Sequence, residues 1–134
     1  AVIVLNYTGG GIILETIYEV EVTGLGEGVD EFLEQDLIVL FNNNAPAELA
    51  EISVIHTEAE LKGEIEAGDI ISIDDKNYKI TAVGEVVNKN ISRLGHSTLR
   101  FNGNDEAQLP GDINVENSPL PNVKKGTIIK IIKK

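Results

Sequence analysis

Apolar residues in this chain come in short β-branched runs, each halted within a few positions by Gly, Pro, Asn or Asp, a punctuation that leaves little room for long helices. Thr16 to Thr23 alternates as a half-buried strand, and Leu37 to Phe41 is apolar throughout. Ile70 to Ile73 and Tyr78 to Val83 flank Asp74-Asp75-Lys76-Asn77, which predicts a hairpin. Further strands are expected at Ile52 to Ile55, Glu85-Val86-Val87, Ser97 to Phe101, Asp112 to Glu116 and Thr127 to Ile132. The fold expected is mainly β, a closed or partly open barrel of short strands with one or two short helices. One helix is read over Val29, Phe32, Leu33 and Leu37, the other begins near Pro46 with Asn44 as its cap. Ala1 to Leu14, with its Gly9-Gly10-Gly11 run and no initiating Met, reads as an N-terminal extension or an expression-derived segment ahead of a single domain spanning residues 15–134.

Charge narrows the partners. The net charge of −11 repels a phosphate backbone, and an aromatic content of 4% offers little for base stacking, so nucleic acid is not an expected partner. Residues 1 to 61 hold twelve acidic residues and no Lys or Arg, whereas Lys124 to Lys134 holds five of the eleven basic ones. That asymmetry suits an acidic surface that steers a basic protein, and equally a solvated face. No run approaches the ~20 apolar residues of a membrane span, so no membrane insertion and a cytoplasmic location are expected.

Reactive side chains are few. Without cysteine, thiolate chemistry is excluded, and the nucleophiles that work near neutral pH reduce to His56 and His96. No cofactor or metal is expected, since two histidines separated along the chain would need carboxylates to complete a site and no spacing demands one. The glycines of Gly24-x-Gly26-x-Gly28 lack the spacing and the βαβ context of a dinucleotide loop and read as a flexible turn. His96, Thr98 and Arg100 share one strand face, a set able to hold phosphate oxygens or simply to meet solvent, while Ser97, Leu99 and Phe101 form the core face. His56 shares its face with Ile52 and Val54. If that strand continues, Glu58 and Glu60 follow on the same side, where a carboxylate would orient the ring and Lys62 or Arg100 would offset its charge.

Ile55-His56-Thr57-Glu58-Ala59-Glu60-Leu61-Lys62-Gly63, then Ile80-Thr81-Ala82-Val83-Gly84, then Leu94-Gly95-His96-Ser97-Thr98-Leu99-Arg100-Phe101-Asn102-Gly103 together resemble the glucitol/sorbitol-specific enzyme IIA components of the bacterial phosphoenolpyruvate-dependent sugar phosphotransferase system. The likeness runs in order from about Glu15 and includes Ala45 to Leu49 and Glu106 to Gly111. It implies a phosphoryl carrier: the histidine matching His56 takes a phosphoryl group from the histidine-containing phosphocarrier protein and passes it to the enzyme IIB component, whose membrane partner IIC imports the hexitol. His96 and Arg100, with Glu58 and Lys62, are expected to support or orient. A homodimer through exposed strand edges is also expected. The competing readings are a non-catalytic barrel that binds sugar or a regulator, and a degenerate relative that senses phosphorylation state.

Overall fold

The computed structural model describes residues 2–6 and 12–134, with side chains described from Leu14 onward. Nine strands and three short helices follow in the order β1 (Val2–Asn6), β2 (Ile12–Leu25), α1 (Val29–Leu33), β3 (Leu37–Asn42), α2 (Ala47–Ala50), β4 (Val54–His56), β5 (Ile70–Ile73), β6 (Lys76–Val83), α3 (Val87–Leu94), β7 (Ser97–Arg100), β8 (Asp112–Val115) and β9 (Ile128–Lys133). The lateral order is β1-β2-β4-β3-β7-β8-β6-β5-β9, and β9 returns to pair with β2, from Glu15↔Lys133 to Glu21↔Ile128. Eight strands therefore close a barrel, and β1 lies outside the ring on the first residues of β2. The pairs β3–β4 and β7–β8 are parallel.

Alternation builds the core. Tyr18, Val20 and Val22 of β2 point inward while Glu19 and Glu21 are exposed, and the interior is filled by aliphatic side chains such as Ile71, Ile73, Ile80, Leu99 and Ile113. The expected hairpin turns more tightly than its four polar residues suggest. Only Asp74 and Asp75 lie between β5 and β6, both at positive φ (45° and 69°), the conformation that matches the twist of the flanking strands.

Three local expectations need correction. Glu85-Val86-Val87 is not a strand: Val87 opens α3, whose Val87 and Ile91 pack inward one turn apart, so the described residues hold three short helices rather than one or two. The helix expected from Val29 to Leu37 stops at Leu33, because Asp36 at φ 62° redirects the chain and Leu37 begins β3. Asn44 does not cap the second helix; Pro46 occupies the cap position and Asn44 Nδ2 donates instead to Glu58 Oε1 at 3.1 Å.

The glycine-rich segment is a close backbone contact rather than a loose turn. A methyl group on Gly26 would overlap the carbonyl oxygens of Ala50 and Glu51, and Gly26 and Gly28 donate their N–H groups to Ser53 and Glu51 carbonyls. Of the expected extension Ala1 to Leu14, residues 1 and 7–11 lie outside the described residues, and residues 12–14 are continuous with β2. Each ring strand has a neighbour on both sides, so the open edge that remains among the described strands is the outer one of β1.

Candidate functional site

The barrel brings the two histidines to the same end of β3 although forty positions of sequence part them. β4 lies between β2 and β3, with His56 in register with Val22 on one side and Asn42 on the other. On the far side of β3, Leu40 pairs with Ser97 of β7, which places His96 at the same end of β3. Gly95 joins the two sites. It caps α3 in the left-handed conformation (φ 59°, ψ 28°), donates its N–H to Ile91 at 3.0 Å, and directs its carbonyl at His56.

His56 is fully enclosed, at 0% exposure. Its Nδ1 lies 2.8 Å from the Thr57 carbonyl oxygen and its Nε2 2.8 Å from that of Gly95. The edge of Tyr18 closes another side, with ring centroids 6.4 Å apart and planes at 89°. Carbonyl oxygens only accept, so a neutral ring donates from one nitrogen and turns the lone pair of the other toward the second carbonyl. As it stands here, His56 is held in place and sealed from any attacking group.

His96 differs in every respect that matters for reactivity. Half-exposed, it is bound through Nδ1, 2.9 Å from the Leu40 carbonyl, and its ring leans on Phe41 with centroids 4.7 Å apart. That contact places the hydrogen of a neutral ring on Nδ1 and leaves the Nε2 lone pair available.

The remaining expected site residues are more scattered. β4 ends at His56, so Glu58 and Glu60 do not continue its face; Glu58 is exposed and bonded to Asn44. The ring of His56 is oriented by backbone carbonyls, not by a carboxylate. Lys62 is exposed and lies with Thr16, Tyr18, Ala59 and Glu60 around a cleft of about 310 Å³ on the Tyr18 side. Thr98 and Arg100 do share the outward face of β7 with His96. Arg100, however, sits at the other end of that strand and gives its Nε to Asp112 at 2.6 Å.

Sequence reasoning missed Asn42, Tyr18 and Gly95. Asn42 is 8% exposed and its Oδ1 has no hydrogen-bond partner among the described residues. Burial pushes the Tyr18 phenol up to about 12, and its hydroxyl likewise has no partner there. Only Gly95 left a signal in the sequence, a glycine directly after Arg93-Leu94 at the end of an amphipathic stretch. A larger cleft, about 840 Å³, lies elsewhere, between the 64–67 and 105–110 segments, and carries Glu64, Glu66, Glu85, Asp105 and Glu106 but neither histidine. Among the described residues no three His, Asp or Glu side chains converge as a metal would require, and no helix is long and apolar enough to cross a membrane.

Comparison with known proteins agrees with the fold and the family resemblance. Residues 17–130 match the family described as PTS system glucitol/sorbitol-specific IIA component. The PTS system glucitol/sorbitol-specific EIIA components of Shigella flexneri and Escherichia coli (strain K12) are each 35% identical over 117 residues, covering 87% of this chain and 95% of the relative. The crystal structure of a PTS system IIA component from Enterococcus faecalis V583 superposes with a TM-score of 0.74 at 29% identity, over 84% of this chain and 97% of that one. The chain thus belongs to the glucitol/sorbitol-specific IIA components of the phosphotransferase system.

Proposed function

We propose that this protein carries phosphoryl groups on His56, taking them from the histidine-containing phosphocarrier protein and giving them to an enzyme IIB component during uptake of glucitol or a related hexitol. Its place of work would be the cytoplasm, beside the membrane-embedded IIC component. The reading rests on membership of a phosphotransferase family together with one observation: the chain's two imidazoles, the side chains able to act as nucleophiles near neutral pH, are anchored at the same end of β3, His56 on the Gly95 carbonyl and His96 on that of Leu40. His56 is the acceptor that the sequence resemblance implies. Transfer between histidines is close to balanced in energy, so the protein's task is alignment of donor and acceptor for an in-line displacement. The hydrogen bond from Nδ1 to Thr57 supports this role, because it fixes the ring and directs Nε2 toward the Gly95 turn. The excess of carboxylates suits a basic donor, and phosphoryl uptake should slow as ionic strength rises.

A second reading has its own observation behind it. His96 is the more exposed ring and already has the tautomer of a nucleophile, which would suit an acceptor or a group that steadies the transferring phosphoryl. The two are separated by incubating the protein with phosphoenolpyruvate, the general phosphotransferase enzyme and the phosphocarrier, then measuring intact mass. His56→Ala should gain no phosphoryl group and His96→Ala should gain one slowly. Normal labelling of His56→Ala, with none on His96→Ala, would exchange the roles.

A further inference from the structure

We propose that Gly95 is a positioning residue for phosphoryl transfer: its carbonyl and the Gly95–His96 turn hold His56 Nε2 sealed at rest, and the turn must swing outward before that nitrogen can meet phosphorus. The inference rests on His56 being the acceptor. Four observations carry it. The ring is inaccessible, and Nε2 faces the backbone carbonyl of Gly95 at 2.8 Å. That carbonyl belongs to the turn between α3 and β7, a short connection on a helix end rather than part of the barrel wall. Leu94, the residue before it, is 42% exposed, so the turn has solvent on its outer side. Finally, Asn42 Oδ1 is buried beside Gly95 without a partner, so the closed arrangement leaves one polar group unsatisfied and is not the lowest-cost state for every group around it.

Opening changes the chemistry at one atom. With Gly95 withdrawn, the Nε2 lone pair of the neutral ring is uncovered, while Nδ1 keeps its hydrogen on the Thr57 carbonyl. The Nε2 lone pair then forms the nitrogen–phosphorus bond as the donor histidine's bond to phosphorus breaks and that electron pair returns to the donor ring. A dianionic phosphoryl group does not fit under the closed turn, because even a methyl group on Gly95 would overlap Asn42 Oδ1 and lie 2.6 Å from His56 Cε1.

Gly95→Ala tests this directly. The added methyl and the left-handed backbone both oppose the closed turn, so the variant is held open. In the unmodified protein, diethyl pyrocarbonate followed by peptide mass mapping should acylate His96 at least ~10 times faster than His56, and in Gly95→Ala the two rates should converge. Phosphoryl uptake at low donor concentration should rise by about tenfold or more if the open turn is ordinarily populated at a tenth or less. Equal acylation of both rings in the unmodified protein, or a His56 that stays protected in a folded Gly95→Ala, would overturn the proposal. Should Gly95→Ala not fold, backbone amide shifts of the unmodified protein on phosphorylation decide: the largest should fall at Leu94 to Ser97, and an unmoved turn would refute the gate. Mapping the phosphoryl group to His96 would instead defeat the acceptor assignment, a failure that the acylation rates do not share.

Discussion

Arg100 Nε donates to Asp112 Oδ2 at 2.6 Å across the parallel pair of β7 and β8, and the same carboxylate oxygen accepts the Leu109 N–H at 3.1 Å. Asp112 is almost wholly enclosed, whereas the Arg100 side chain reaches solvent at 22% exposure. Removing the acid strands a guanidinium and an amide at once. Asp112→Ala should therefore cost about 3 kcal/mol, the lower end for breaking a buried pair because one partner is hydrated, whereas Asp112→Asn should cost less by keeping the amide contact. Urea denaturation with an unchanged m-value would show it; a loss under ~1 kcal/mol in Asp112→Ala would mean that the pair adds no more than a surface ion pair.

Tyr18 provides a spectroscopic reporter on the His56 enclosure. Burial raises its phenol from 10.0 to about 12, so the neutral form is favoured by folding. The associated stability is complete below the unfolded value of about 10 and disappears as pH climbs from there through about 12. Absorbance titration should show one phenol ionising well after a free tyrosine. Tyr18→Phe should remove that late step and leave stability unchanged or up to about 1 kcal/mol higher, since the hydroxyl it deletes has no partner.

Lys133 ties β9 to the 64–69 segment. Its Nζ lies 2.8 Å from Glu66 Oε1, 2.9 Å from Asp69 Oδ2 and 2.8 Å from the Glu64 carbonyl. Desolvation alone would lower its pKa, but the hydrogen bonds and charges of Glu66 and Asp69 outweigh it and hold the ammonium above 10.5. A raised value means that the contribution is present in full below the unfolded value and is lost as pH rises past 10.5 through the folded one. Lys133→Met should lower stability by about 1 kcal/mol at neutral pH, with the difference vanishing in strong alkali. A difference that persists there would assign the loss to packing of the aliphatic stem.

What the sequence makes legible is local. On β7, strict alternation separates the outward His96, Thr98 and Arg100 from the buried Ser97, Leu99 and Phe101, and the period-2 pattern alone predicts it. At Val86-Val87 the β-branched pair argues for a strand, yet Val87 and Ile91 bury together and a helix prevails, which shows tertiary packing overriding propensity. The surroundings of His56 are illegible for a different reason. Tyr18, Asn42 and Gly95 come from β2, β3 and the end of α3, and only the lateral order of strands makes them neighbours. Asn44 illustrates the same limit, since its nearest use as a cap is displaced by a carboxylate fourteen positions away.

The seam between β2 and β9 has a consequence for biosynthesis. Strand β2 must wait, with Tyr18, Val20 and Val22 uncovered on one side, until Ile128 to Lys133 has emerged from the ribosome to zip against it. Distant pairing of this kind makes folding slow, on the order of milliseconds to seconds, and leaves a nascent apolar strand in need of shielding meanwhile. The acidic residues interleaved along β2, Glu15, Glu19 and Glu21, put repulsion on that waiting edge and so disfavour its capture by another copy.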